Sequence, residues 1–200
     1  MQFKVKGKII YLDKKIDSLD FFVKEFVSVL DKLNIDYVII SGYIAILFGR
    51  SRNTEDVDFF INRLSLEKFT LVWRTLIQKY ECLNTKDFND AYDYLVNGSG
   101  LRFSREGEYI PNIELKFVKT SLDIFCLNNK LIIEVNQEYR INTSVLELQI
   151  AFKLYLGSDK DLEDARHLWI FFRKYLNMEE IIHFCNELKV KVEVIDRIVR

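Results

Sequence analysis

Proline is almost missing from this chain, with one in 200 residues, and glycine is scarce at seven. Flexible or proline-rich linkers are therefore excluded, and a compact chain is favoured. Cys82, Cys126 and Cys185 are odd in number, far apart and outside any Cys-x-x-Cys pattern. That excludes a disulfide framework and a zinc ribbon, and leaves reduced, mostly buried thiols in a cytoplasmic protein. Two histidines, His167 and His183, are too few to build a His-based metal site. Lysine plus arginine total 29 against 30 acids, a net charge of −1, and the pI is near 6.2. A broadly basic nucleic-acid surface is not indicated, although a local basic patch stays open. No apolar run approaches the length of a membrane span. The start, Met-Gln-Phe-Lys-Val-Lys-Gly-Lys, alternates charged and apolar residues instead of building a signal core. The expectation is a soluble cytoplasmic protein without a membrane partner. What is present is ordinary globular material, 49% hydrophobic and 30% charged, long enough for a sizeable core.

Residues 3–12 read as one or two strands punctuated by Gly7. From Ser18 to Leu33, Leu19, Phe22, Val23, Phe26, Val29, Leu30 and Leu33 recur at helical spacing, with Ser18 as the expected cap. Tyr37–Ile40 is a buried strand, 43–48 a helix ending at Gly49, and Arg50–Glu55 a polar loop. A strand over 56–61 precedes a helix from Ser65 to about Tyr80, and 87–96 suggests another helix. Asn97-Gly98-Ser99-Gly100 is the clearest turn. Strands at 101–104, Ile113–Val118, Leu131–Val135 and Tyr139–Ile141 follow. From Thr143 the pattern is helical. The expected class is α/β (α+β): a mixed sheet flanked by helices over residues 1–142, with a C-terminal helical segment over 143–200 packed on it.

The chemistry gathers between Ser41 and Phe60. A Ser-Gly pair closes one apolar strand and Asp56-Val57-Asp58 opens the next. Alternation puts both aspartates on one face, with Val57, Phe59 and Ile61 toward the core. Two carboxylates so close repel each other unless a cation lies between them, and an oxygen-only set suits Mg²⁺ shared with substrate phosphates. The small residues and exposed backbone N–H groups of Ser41-Gly42 suit the phosphates. Metal and phosphate together point to phosphoryl or nucleotidyl transfer. In Asn112-Ile113-Glu114-Leu115-Lys116-Phe117, alternation sends Glu114 and Lys116 to one face. Glu114 is either a third metal ligand or half of an exposed Glu–Lys pair.

Ser41-Gly42, thirteen residues, Asp56-x-Asp58 and a later acid on a strand resemble the nucleotidyltransferase superfamily of DNA polymerase beta. The flanking text from Tyr37 to Asp58, and Leu146 to Leu168 with its lysine and Lys-Asp-Leu-Glu-Asp run, is similar to small prokaryotic nucleotidyltransferase-like proteins related to AbiEii-type toxins. The similar blocks span roughly residues 36–170. The order Ser-Gly departs from the usual Gly-Ser or Gly-Gly, and the third acid is a glutamate.

The resemblance implies that Asp56, Asp58 and Glu114 bind Mg²⁺ (or Mn²⁺) and act catalytically. It implies that Ser41, Gly42, Arg52 (or Arg50), Lys116 and Lys153 contact an NTP. The acceptor hydroxyl belongs to RNA, to a protein or to a small molecule. Lys153 otherwise reads as a snorkelling surface lysine. Asp159 reads as a helix cap and Glu163 as a dipole partner, while Lys160 and Asp164 stay open for an active-site role. Trp73, Trp169, Phe171 and Phe172 read as core, and His167 and His183 as structural or surface residues. Lys4, Lys6 and Lys8 form either a solvated edge or a phosphate-contacting strip. Two rivals stand beside this reading. One is a non-catalytic binding module or toxin–antitoxin component with a partner protein encoded nearby. The other is a nuclease around Glu114-x-Lys116, which the long helical insertion after Asp58 disfavours.

Overall fold

Alternation of lysine with Phe3 and Val5 makes the first residues an edge. The computed structural model describes residues 1–199. In it, β1 (Gln2–Lys6) and β2 (Ile9–Asp13) pair antiparallel. Lys4, Lys6 and Lys8 are exposed, and β1 is an outer strand, where such charge discourages pairing with another chain. Helix α1 (Ser18–Lys32) buries Phe22, Val23, Phe26, Val29 and Leu30. Its cap is Asp17 rather than Ser18. The Asp17 carboxylate accepts from the Asp20 N–H at 2.9 Å, and Asp20 returns the bond to Asp17 at 3.1 Å. This reciprocal pairing satisfies two helix-end donors that a serine at position 18 leaves open.

The chain then runs through β3 (Tyr37–Ile40), α2 (Gly42–Leu47), β4 (Asp56–Ile61), α3 (Leu66–Leu76), β5 (Glu81–Cys82) and α4 (Phe88–Val96). Next come β6 (Leu101–Ser104), β7 (Asn112–Phe117), α5 (Ser121–Asn128), β8 (Leu131–Val135) and β9 (Tyr139–Thr143). After β9 the described chain is helical: α6 (Leu146–Leu156), α7 (Asp159–Phe172), α8 (Met178–Glu187) and α9 (Val192–Val199). Two elements escape the sequence reading. The strand β5 is only two residues long. Helix α5 runs Leu122-Asp123-Ile124-Phe125-Cys126-Leu127, apolar almost throughout, so no helical period shows. Its legible signal is the Thr120…Asp123 capping box.

The strands form one mixed nine-stranded sheet in the order β1-β2-β8-β9-β3-β4-β7-β6-β5. Its weakest seam lies in the middle, where β3 meets β9 in parallel through one register pair, Ile39 with Thr143. On one side of the sheet, the Val57–Phe59–Ile61 face of β4 packs under α1 and α3. Phe26 lies 5.5 Å from Phe59, 5.4 Å from Tyr80 and 6.0 Å from Phe103, ring centre to ring centre. Trp73 and Phe172 are buried, Phe171 packs against Phe48, and His167 Nε2 lies 3.0 Å from the Phe48 carbonyl oxygen. All three cysteines are buried and unpaired. Among the described residues no helix is long and apolar enough to cross a membrane.

Phe26 is fully buried at the junction of α1 with β4 and β6. Phe26→Ala is expected to lower unfolding free energy by about 3–5 kcal/mol, measured by urea denaturation. A loss below about 1 kcal/mol would mean that this aromatic cluster does not organise the core.

Candidate active site

Strand β4 begins with two aspartates on one face. Asp56, Asp58 and Phe60 lie half-buried on one face while Val57, Phe59 and Ile61 are buried on the other. The insertion of α3, β5, α4 and β6 does not separate the carboxylates. Strands β4 and β7 pair in parallel, with Asp58 directly opposite Glu114, Asp56 opposite Asn112 and Phe60 opposite Lys116. Three of the expected residues thus meet. Lys116 Nζ lies 3.1 Å from Asp58 Oδ1 and 2.8 Å from Glu114 Oε2, and Arg102 Nη2 stands 3.8 Å from Glu114 Oε1. Gly100 makes room for this pairing, because a Cβ there would fall 2.6 Å from Glu114 Cγ.

Burial pushes the Asp58 carboxyl above its usual range, and the negative charges of Asp56 and Glu114 push the same way against the pull of Lys116. Burial also opposes ionisation of Glu114, but there the Lys116 hydrogen bond and charge prevail, with help from Arg102, and hold it low. Burial works against the Lys116 charge too, yet Asp58 and Glu114 raise its pKa overall. Two carboxylates therefore share one ammonium.

Does this set fit a divalent cation? Among the described residues no three His, Cys, Asp or Glu side chains converge as a ready-made metal site. The donor chemistry nevertheless suits a hard ion: oxygen ligands only, on adjoining strand positions. Lys116 supplies the cationic charge that the pair demands in this structure.

The turn before α2 holds a different constraint. Ser41, not Gly42, has the unusual backbone, with φ 67° and ψ −139°. A side chain in that region is strained by roughly 1–3 kcal/mol and persists only when its surroundings fix it. Gln149 does so. Its Oε1 accepts from the Ser41 N–H at 3.1 Å and its Nε2 donates to the Ser41 carbonyl at 2.8 Å. Ser144 Oγ donates to the same Oε1 at 3.2 Å. Gln149 was legible only as a polar residue on the buried side of α6, in step with Leu146, Ile150 and Lys153.

Gly42 has ordinary backbone angles, and its hydrogen faces the Arg52 guanidinium, so any Cβ there would clash with Arg52 Nη2. Arg52 is fixed by a two-pronged pair with Asp164: Nε to Oδ1 at 2.9 Å and Nη2 to Oδ2 at 2.8 Å. Arg50 also pairs with Asp164 and with Glu163. Lys153, read from sequence as a surface or phosphate-facing lysine, is 2% exposed and turned inward. Its Nζ meets Asp161 at 2.7 Å and Asp164 at 3.1 Å. Ser158, not Asp159, caps α7, accepting from the Asp161 N–H at 3.3 Å. Asp164, with no exposed surface, thus collects Arg50, Arg52 and Lys153. Burial opposes its charge, but the Arg52 hydrogen bonds, then Lys153 and Arg50, hold its carboxyl below the ordinary range.

With this geometry in view, the fold is that of the nucleotidyltransferases. The chain is similar to an antigenic nucleotidyltransferase-like protein from Paracoccidioides brasiliensis, with 18% identity and a TM-score of 0.54, over 92% of this chain and 93% of that one. It is also similar to the antibiotic-resistance factor ANT(2'')-Ia, at 11% identity and a TM-score of 0.51, over 91% and 97%. No protein-family model matches the chain, and no curated protein sequence is significantly similar to it.

Two outcomes test the turn and the charge cluster. Gln149→Ala leaves the half-buried Ser41 N–H without its partner and the Ser41 carbonyl with only the Ile44 N–H, and is expected to cost about 1–3 kcal/mol, while Ser41→Gly is neutral or stabilising. Equal losses in both variants, by urea denaturation, would show that Ser41 carries no strain. The second outcome concerns pH. Because the Asp164 carboxyl is lower in the folded chain than in the unfolded one, its contribution is present above the ordinary aspartate pKa. That contribution is lost as pH falls through the lower folded value. Asp164→Asn is therefore expected to cost about 3–5 kcal/mol at pH 7, through a buried Arg52 left without its carboxylate, and to flatten the loss of stability below about pH 4. An unchanged acid-unfolding curve would exclude Asp164 as the group responsible.

Proposed function

We propose that this chain is a divalent-metal-dependent nucleotidyltransferase moving a nucleoside monophosphate from an NTP to a hydroxyl acceptor. The observation that supports it most is the register of β4 and β7, which sets Glu114 directly opposite Asp58 and two residues from the position opposite Asp56. Asp56, Asp58 and Glu114 are the residues that hold Mg²⁺ or Mn²⁺ in this reading. When bound, the ion supplies charge neutralisation at the α-phosphate and acidifies the acceptor hydroxyl. The acceptor oxygen attacks the α-phosphorus, the α–β phosphoanhydride bond breaks and pyrophosphate leaves. The hydroxyl proton passes to a carboxylate oxygen of the Asp58–Glu114 pair. Lys116 keeps that pair from flying apart and stands where a phosphate oxygen arrives.

Ser41-Gly42 and the guanidinium of Arg52 form the phosphate side, held by Asp164. Lys153 and Gln149 act one step back: Lys153 helps neutralise Asp164, and Gln149 sets the turn. The nucleotidyltransferase fold, with β4 and β7 parallel, gives the nuclease reading of Glu114-x-Lys116 no support of its own. One observation does favour a second reading, a non-catalytic scaffold or toxin–antitoxin component. Lys116 already compensates the carboxylates, so the fold needs no metal to stand.

Thermal melts with Mg²⁺ and a non-hydrolysable NTP separate these. A ligand that binds the native state at 100 times its Kd adds about 2.7 kcal/mol of stability. Wild type is expected to gain in melting temperature, Asp58→Asn not to gain, and transfer from radiolabelled NTP in cell lysate to fall by orders of magnitude in Asp56→Asn. Identical metal-dependent gains in wild type and Asp58→Asn would remove the metal site and leave the scaffold.

A further inference from the structure

The face that carries Asp56 and Asp58 continues to Phe60, about 7 Å further along β4 at strand spacing. Beyond it the sheet opens into a cavity of about 330 Å³ roofed by α5, α6 and α8. Its walls are Ile40, Phe60, Leu122, Leu148, Phe152 and Tyr155. Ile40 is the register partner of Asp58 on β3, so the apolar wall adjoins the carboxylates directly. The volume falls in the range of small-molecule pockets, which bury an apolar body and fix it with a few polar groups. Phe152 and Tyr155 stand 6.1 Å apart, ring centre to ring centre, as one aromatic wall.

The ionisable side-chain oxygens of this cavity have no lysine or arginine beside them in the lining, unlike those at the Gly42 end. Among its described lining residues there is no lysine or arginine, and the ionisable oxygens belong to Asp123 and Glu187. Asp123 spends one oxygen on the Lys119 and Thr120 N–H groups, while Glu187 is exposed. Arginine, by contrast, gathers at the Gly42 end, where Arg50 and Arg52 lie. An RNA end brings a backbone phosphate to within a few ångströms of its reacting hydroxyl. Two carboxylates with no cation beside them repel that phosphate, and the hydroxyls and amide of the lining supply no charge to offset the repulsion.

We propose that this cavity is the acceptor subsite, and that the acceptor is a small, non-anionic molecule. Its apolar ring or chain fills the Phe60–Phe152 space and its hydroxyl projects toward Asp58. The proposal rests on the nucleotidyltransferase reading of the adjacent face and selects one acceptor class within it. The transfer keeps the balance given above: the acceptor O–H becomes an O–P bond, pyrophosphate leaves, and the proton goes to the carboxylate pair.

The test uses the full chain and the neutral, environment-sensitive dye prodan, whose emission shifts to the blue in an apolar pocket. Saturable one-to-one binding is expected. Ser121 is exposed at the cavity mouth, so Ser121→Trp can plug it without disturbing a buried contact. That variant is expected to weaken dye binding at least tenfold while the circular dichroism melt stays unchanged. Bound dye is expected to persist when each NTP is added with Mg²⁺, and a short single-stranded RNA is expected not to displace it.

Displacement by an NTP would assign the cavity to the nucleotide. Displacement by RNA would overturn the non-anionic acceptor. Absent binding, or binding unchanged in Ser121→Trp, would overturn the subsite itself. NTP titration by thermal melt, in the absence of dye, reports separately on the nucleotidyltransferase reading. Failure there with dye binding intact would sink that reading and not the cavity.

Discussion

Asp164 is a carboxylate with no water to solvate it, and a charge so placed is costly unless cations and hydrogen bonds replace that water. Arg52 takes both of its oxygens, Arg50 shares one, and Lys153 completes the set. These partners come from two places in the chain, the loop before β4 and helix α6, and meet Asp164 on helix α7. The cluster therefore fixes the helical C-terminal part against the loop that leads into Asp56 and Asp58. Removing Asp164 alone leaves three cations crowded together, which is why the interaction constrains the structure more than its count of bonds suggests.

The second constraint lies across the sheet seam. Strands β3 and β9 share only one register pair, yet the candidate phosphate turn sits at their junction. Gln149 closes this weak point by bonding both backbone groups of Ser41, with Ser144 as a support. The strained backbone of Ser41 is thus held from α6, and the guanidinium over Gly42 is held from α7. Both sides of the turn depend on the helices that follow the sheet. The face of β4 beyond the turn has a graded character: paired arginines and acids near Gly42, carboxylates at Asp56, Asp58 and Glu114, and an apolar stretch past Phe60.

The sequence was most readable where period and punctuation agreed. Alternation in 56–61 and 112–117 assigned the faces of β4 and β7, since a strand's side chains must alternate. Helical spacing in 18–33 and from Ser65 to about Tyr80 identified α1 and α3, although α3 ends earlier, at Leu76. Caps were off by one residue at Asp17 and Ser158, because neighbouring Asp and Ser compete for the same backbone N–H groups. Helix α5 left no period to read, being apolar nearly all round. Lys153 misled for a related reason: a lysine in an amphipathic helix reads as a snorkelling surface residue until its carboxylate partners are known.

By itself the sequence determined the local facts: which residues alternate, which stretches are helical where a period shows, and that Asp56 and Asp58 share a face. Those follow from backbone geometry and need no distant partner. Only the tertiary structure decided that Asp58 faces Glu114 with Lys116 between them, since that register joins strands separated by more than fifty residues. It alone gave Gly42 its neighbour, because a guanidinium above a glycine is a property of packing and not of spacing. The same holds for Gln149 and Asp164, whose partners lie more than a hundred residues away and meet them through the folding of helices onto a sheet.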